Sequence, residues 1–254
     1  MRSEIYRQPL YYDIAFSFVD AARSVDLLEA FIRKHSGVEV RTVLDICCGP
    51  ALQSREFARR GYRTIGLDSS GPMLDYLLSR AEEEQVAVET IDADMLDFRL
   101  AEQVDFCYVM MGSIQYVGDN HGLVSHLSSV ARALRPGGLY LIENLMMDWN
   151  LPAFDAPIVW DMERDGIRVR ATYQAQLANV LEQMVHATLD LDVDDNGRRL
   201  RITDRDQVKV FFPQEFRTIV ELGGQFDLVG FFERESTAPL RTISPDNIVV
   251  LRKR

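Results

Sequence analysis

With 254 residues the chain has room for one large α/β domain, or for a core of about 150–190 residues carrying an insertion. It is 47% hydrophobic and 26% charged, which excludes wholesale disorder. Lys and Arg number 28 against 39 Asp and Glu, and the net charge of −11 repels polyphosphates, so a DNA or RNA substrate is not expected.

The three cysteines, Cys47, Cys48 and Cys107, form neither a CxxC motif nor a workable bridge between neighbours. No disulfide framework and no metal site is expected from them. The start, MRSEIYRQPLYYD, has no apolar signal core, and no run of 18 apolar residues occurs. These features predict a cytoplasmic protein of a reducing compartment, without a membrane partner.

Ala21–His35 predicts a helix laid over a sheet. Val40–Cys47 is a short apolar run. A helix over Ala51–Arg60 follows, stopped by Gly61, which accepts a left-handed cap without steric cost. Tyr62–Asp68 is strand-like. Ser70–Ala81 then has a serine N-cap, Pro72 in its first turn and an apolar stripe of Met73, Leu74, Leu77, Leu78 and Ala81. Val86–Ile91 and Val104–Met111 read as strands. Asn120–Leu134 carries Leu123, Leu127, Val130 and Leu134 at helical spacing, and Leu139–Asn144 follows a Pro-Gly-Gly turn. Such alternation needs crossovers, hence a doubly wound, mostly parallel sheet with helices on both faces.

Residues 152–212 break that rhythm. Ile158–Glu163 and Ile167–Gln174 flank Asp165-Gly166, while Val185, Ala187, Leu189, Leu191 and Val193 alternate with polar residues up to Asn196-Gly197. Period two with DG and NG turns predicts antiparallel strands with one wet face. The expected division is a core of 1–151 and 213–254 and a β insertion of 152–212. The core resumes with a helix over Pro213–Leu222 and strands at Phe226–Glu235 and Asn247–Arg252. They complete a seven-stranded sheet whose last strand is antiparallel.

Chemistry concentrates where strands end. The first strand runs Val43-Leu44-Asp45-Ile46-Cys47-Cys48-Gly49-Pro50-Ala51 straight into a helix, so a ligand can lie against backbone N–H groups there. The GxGxxG fingerprint is missing, and Asp45 suits a cationic ligand better than a pyrophosphate; an ordinary βα turn is the alternative. Asp68 closes the second strand, 23 residues after Asp45, where a carboxylate can accept both ribose hydroxyls or simply cap the next helix. Asp92-Ala93-Asp94-Met95 ends the third, with a carboxylate for an adenine amino group and an apolar neighbour for its ring, or else a solvated acidic loop.

Taken together, VLDICCGPA, LDSSGPML, DADMLDF, VDFCYVMMGSIQYV and LRPGGLYLIE resemble, in order, the motifs of class I S-adenosylmethionine-dependent methyltransferases. The resemblance covers about residues 10–145. It implies that Asp45, Cys47 and Gly49 meet the methionine end of the cofactor and that Asp68, with Ser69 beside it, holds the ribose. It implies also that Met73 and Met95 pack on adenine, Asp94 accepts from its amino group, Met111 offers backbone to the cofactor's amino group, and Tyr12 covers its carboxylate. Ala51 departs from the family's usual glycine, and its methyl is expected to crowd the site. The Tyr-Asp start, the β insertion and VKVFFPQEFRTIVELGGQFDLVGFF are similar to methyltransferases of nucleotide-linked amino sugars and related small molecules.

The implied activity is methyl transfer to N or O of a small molecule, with S-adenosylhomocysteine as product and the insertion as lid. A hydroxyl acceptor benefits from a general base, for which His121, His186 and Tyr116 are candidates; an amine needs only to be neutral. His35 reads as a surface residue and Cys107 as core. Met110-Met111 and Glu143-Asn144 stand where metal-dependent relatives carry oxygen ligands, so no metal is expected. The strand edges of the insertion offer a route to a homodimer. The rival readings are a cofactor-binding module without catalysis and an NAD-dependent oxidoreductase.

Overall fold

The computed structural model describes residues 4–146, 156–242 and 244–254. Seven strands form one sheet: β1 Thr42–Ile46, β2 Arg63–Asp68, β3 Val88–Asp92, β4 Val104–Val109, β5 Leu134–Glu143, β10 Phe226–Glu233 and β11 Asn247–Lys253. Their order is β10-β11-β5-β4-β1-β2-β3; β11 runs antiparallel to both neighbours, and the pairings from β3 across to β5 are parallel.

Strand alternation divides the core into two layers. Val43, Phe106, Tyr108, Leu139 and Leu141 face α2 (Ala21–His35) and α3 (Leu52–Arg59) on one side. Leu44, Ile46, Cys107, Val109 and Tyr140 face α5 (Asn120–Ala133) and α6 (Pro213–Gly223) on the other. α4 (Gly71–Glu83) buries Leu74 and Leu77 beside Cys48 and Ala51. Side chains start three of these helices: Asp20 accepts from Arg23 N–H at 3.0 Å, Ser70 from Met73 at 3.4 Å and Asp119 from Gly122 at 2.7 Å. One expected boundary moves: β5 begins at Leu134, directly from α5, and the Pro-Gly-Gly turn lies inside the strand as an irregularity in its pairing with β4.

The insertion forms a second, four-stranded antiparallel sheet in the order β6-β7-β8-β9, comprising Ile158–Arg164, Ile167–Asn179, Met184–Asp195 and Arg198–Lys209. Asp165-Gly166 and Asn196-Gly197 make its two-residue turns, all four residues at positive φ as a type I′ hairpin requires. β7 runs five residues past the expected Gln174. The proposed start of the insertion, at 152, lies outside the described residues.

Ahead of α2 the sequence predicts no helix, yet Ile5–Arg7 is a 3-10 turn and Pro9–Ala15 a short helix, α1. Seven residues are too few to hold a helix by propensity alone. Tertiary contacts supply the rest, since Ile5, Tyr11, Ile14 and Ala15 are buried with Val169, Ala171, Leu191, Val193 and Ile202 of the second sheet. Trp160 Nε1 donates to the Ala15 carbonyl at 2.7 Å, and Tyr11 to Asp195 at 3.0 Å. Buried Asp13 accepts from Arg164 at 2.8 Å and from Tyr76 of α4 at 2.7 Å. In space this N-terminal segment thus sits with the inserted sheet while bonded to the core. Among the described residues no helix is long and apolar enough to cross a membrane.

Gly122 in the first turn of α5 sits so close to the preceding loop that a Cβ would lie 1.9 Å from the Val117 carbonyl oxygen. Gly122→Ala is expected to lower the free energy of unfolding by roughly 1–3 kcal/mol in urea denaturation. An unchanged midpoint would show that the loop yields freely.

Candidate functional site

β1 stops at Ile46, and the chain turns through Cys47, Gly49 and Ala51, with φ values of 58°, 51° and 54°. Two of the three are not glycines, so the turn holds left-handed strain of the kind that clusters at functional sites. Asp68, the last residue of β2, fixes it from the neighbouring strand: Oδ2 accepts from Gly49 N–H at 2.8 Å and Oδ1 from Ser70 N–H at 2.9 Å. A Cβ built on Gly49 would meet nothing within 4 Å, so this turn presents bare backbone to open space.

That space is a cavity of about 700 Å³ at the carboxyl edge of the sheet. Its lower wall holds Cys47, Gly49, Asp68, Ser69, Met73, Asp94 and Met95; Tyr6, Tyr12, Tyr116 and Asp206 form the upper. A smaller recess of about 50 Å³ adjoins it, sharing Tyr12, Cys47, Gly49 and Ser113 and adding Asp45, Ala51 and Met111. All ten residues expected at a cofactor therefore line one or other of these spaces. Ala51, expected to crowd the site, is nearly fully buried in a cluster with Leu74 and Leu77, so its departure shows as left-handed backbone as much as volume.

Asp45 is 3% exposed and accepts from Ser54 Oγ at 2.7 Å, itself 3.3 Å from the Tyr108 hydroxyl. Burial pushes its carboxyl up to about 7 against the pull of these two hydroxyls, and the charge of Asp68 adds to the rise. Burial raises Asp68 as well, opposed by its backbone N–H donors. The Cys47 thiol, 3.4 Å from Met95 Sδ, is raised by burial and stays protonated. Met111 keeps its backbone at the recess, but its N–H is already given to Glu143 Oε2 at 2.7 Å. Asp94 is exposed and accepts from Leu96 N–H at 2.8 Å.

Two histidines expected as bases are not brought to the cavity. His121 is exposed in the first turn of α5. His186 points outward from β8 because its neighbours Val185 and Ala187 are the inward positions. Tyr116 does line the cavity, with its hydroxyl pushed up to about 12, mainly by burial.

Sequence reasoning missed three contributors. Tyr6 enters through the unforeseen N-terminal turn, its hydroxyl 3.4 Å from that of Tyr116. Asp206 comes from β9; the legible signal was the alternation Ile202, Asp204, Asp206, Val208, two acids in an apolar series. Buried His126 lies one residue before Leu127 in the apolar stripe of α5. Its Nδ1 is 2.9 Å from the Met95 carbonyl and its Nε2 2.5 Å from the Tyr140 hydroxyl. Burial lowers it to about 4, so the neutral ring donates to Met95 and accepts from Tyr140, which holds the loop after β3 in place.

Residues 43–138 match a family model described as a methyltransferase domain. A dTDP-3-amino-3,4,6-trideoxy-alpha-D-glucopyranose N,N-dimethyltransferase of Streptomyces venezuelae is 27% identical over 191 residues, 73% of this chain and 76% of that one. A cypemycin N-terminal methyltransferase of a Streptomyces species is 26% identical over 132 residues, so the match spans about half of each chain. Among solved structures, an S-adenosylmethionine-dependent methyltransferase from Clostridium acetobutylicum superposes with a TM-score of 0.80 at 14% identity, covering 96% of both chains. A sugar N-methyltransferase from Streptoalloteichus does so at 0.75 and 18%, covering 96% of this chain and 92% of that one. The chain thus has the Rossmann-like fold of these solved S-adenosylmethionine-dependent methyltransferases, and its residues 43–138 are similar to a methyltransferase domain.

Asp45 gives the site a pH signature. An unfolded aspartate loses its proton near 3.8, whereas folded Asp45 keeps it to about 7. The native state therefore binds the extra proton between these values, and this contribution to stability declines as pH rises from about 4 to about 7. Scanning calorimetry of the ligand-free protein from pH 4.5 to 8 should show the wild-type melting temperature falling relative to Asp45→Asn. Parallel curves would place the ionisation of Asp45 in the ordinary range.

Proposed function

We propose that the chain transfers a methyl group from S-adenosylmethionine to a nitrogen or oxygen of a small molecule held between the carboxyl edge of the sheet and the inserted one. The observation that carries this reading is the bare-backbone cradle at Gly49, locked by Asp68 and opening into a cavity of about 700 Å³. The relatives named as an N-terminal methyltransferase and as an amino-sugar N,N-dimethyltransferase favour an amine as acceptor.

The residues present fit the cofactor. Asp68 accepts from the Gly49 N–H on one oxygen and the Ser70 N–H on the other, with the Ser69 N–H beside them, and its remaining lone-pair capacity would serve the ribose hydroxyls. Met73 and Met95 give apolar walls to an adenine ring, and Asp94 with Ser69 would meet its polar edge. Asp45 and the backbone of Cys47 and Met111 line the recess suited to the amino-acid end, with Tyr12 over it. When bound, S-adenosylmethionine supplies an electrophilic methyl group on a sulfonium. The protein's own part is to place the acceptor in line with that methyl and to exclude water, and such positioning can supply on the order of 7–11 kcal/mol. The strands β6–β9 would act as the lid.

The test is calorimetric titration with S-adenosylmethionine, S-adenosylhomocysteine and NAD. Micromolar binding of the first two without NAD is expected; NAD alone would overturn the assignment in favour of an oxidoreductase. Binding with no turnover across an amine and hydroxyl acceptor panel would leave a module without catalysis. Asp68→Ala should weaken S-adenosylhomocysteine by about 2–3 kcal/mol, the scale of lost bonds to a charged acceptor. Its melting curve separates this from loss of the turn, and unchanged affinity would move the ribose elsewhere.

A further inference from the structure

The inward face of the inserted sheet is polar at its hairpin end, where Arg164 and Asp195 hold α1, and at one place further along. Along β9 the inward positions are Ile202, Asp204, Asp206 and Val208, and the register sets Asp204 beside Leu189 and Asp206 beside Ala187. On β7 the same rows continue with Tyr173 and Ala175, so the two acids lie between the apolar cluster under α1 and the one at Val185 and Val208. Small side chains beside Asp206 leave it room, and it lines the main cavity. Asp204 is only 9% exposed. Among the described residues neither acid has a Lys, Arg or His within ion-pair distance. The charge of Asp204 is felt by both Tyr6 and Tyr116, which directs it at the same cavity.

Asp204 is buried and Asp206 half-buried, and a hydrogen bond joins them; once both are ionised, the pair costs the fold stability unless something positive replaces the shared proton. Burial, then the neighbouring charge of Asp204, pushes Asp206 up to about 6. The same end of the cavity carries phenol rings and one cation, Arg7, which pairs with Glu4 at 3.8 Å and with neither acid; Tyr6 and Tyr12 stand 5.8 Å apart between centroids, and the Tyr6 and Tyr116 hydroxyls meet at 3.4 Å. Carboxylates neutralise a cation, and aromatic faces attract one. An ammonium group satisfies both.

We infer that Asp204 and Asp206 recognise the methyl acceptor through a basic amino group, and that Asp206 takes the proton this group must lose. In that step an N–H bond of the ammonium breaks, its electron pair stays on nitrogen, and an O–H bond forms on a carboxylate oxygen of Asp206. The nitrogen is left neutral with the lone pair that methyl transfer requires. The assignment makes the pair specificity-determining and rests on the methyl-transfer reading above.

Benzylamine and benzyl alcohol, alike in shape and different in charge at pH 7.5, serve as probes in titrations followed by ligand-observed NMR, with and without saturating S-adenosylhomocysteine. The wild type should prefer the amine by about tenfold or more, a preference that converts to about 1.4 kcal/mol. In Asp204→Asn/Asp206→Asn that preference should vanish, while each single variant keeps part of it. Because the substitutions relieve a buried repulsion, the double variant should also melt at the same temperature or up to roughly 2–4 °C higher. Equal binding of the two probes by the wild type, a preference surviving in the double variant, or a marked drop in its melting temperature would each overturn the assignment. Should the double variant fail to fold, the two single variants are scored by the same criteria. Absence of S-adenosylhomocysteine binding by the wild type would instead overturn the methyl-transfer reading, and the amine preference is still scored without it.

Discussion

The site depends on one carboxylate used twice. Asp68 accepts the Gly49 N–H on one oxygen and the Ser70 N–H on the other, and so ties the turn after β1 to the turn after β2. Without that tie, nothing in the local sequence would favour left-handed backbone at Cys47 and Ala51, each of which costs roughly 1–2 kcal/mol outside glycine. The two turns define the floor of the cavity, and Ser70 in the same unit begins α4 by accepting from Met73. A buried carboxylate bonded to backbone is expensive to desolvate but strongly oriented, which is what a ligand-facing acceptor needs.

The electrostatics of the cavity follow a single theme. Asp45, Asp68 and Asp206 all stand above the ordinary carboxyl range, in each case chiefly through burial. A site that held its acids with arginines would be neutral before any ligand arrived. Here Arg7 lines the main cavity and Arg164 holds Asp13 at the recess, while Arg234 bonds Glu143 and Arg135 bonds Asp105. Among the described residues no ion pair reaches Asp45, Asp68 or Asp206 themselves, so these three carboxylates stay open to a positively charged ligand.

The fold was legible because its signals are local. Apolar strands, serine and aspartate caps and the DG and NG turns each follow from a few adjacent residues, and the alternation of elements dictates the sheet. The carboxyl-edge acids were legible for the same reason, since a strand end is visible in sequence. What escaped depends on contacts between distant segments. α1 is a helix only because the second sheet buries Ile5, Tyr11 and Ile14. His126 is a positioning residue only because Tyr140 and the Met95 carbonyl converge on it from 14 residues ahead and 31 behind. His186 was attractive by residue type, and strand parity sends it the other way. Parity also hid Asp204 and Asp206, which look like part of a charged run, DRDQ, until every second residue is read separately.

Floor and roof of the cavity are joined by more than proximity. The Ser70 hydroxyl donates to the Tyr6 carbonyl at 2.9 Å, and the Tyr6 hydroxyl donates in turn to Tyr116 at 3.4 Å. A continuous path therefore runs from Gly49 through Asp68, Ser70 and Tyr6 to the far wall. The residues that carry Tyr6 and Tyr12 are mounted on the inserted sheet through Trp160, Tyr11 and the apolar contacts of α1. Truncating that sheet would consequently remove the support of two cavity walls, and cofactor-facing and acceptor-facing surfaces cannot be separated by cutting at the edges of the insertion. Short elements at the start of the chain make one site out of two sheets, and α1 acts as their hinge pin because Asp13 holds both Arg164 of β6 and Tyr76 of α4.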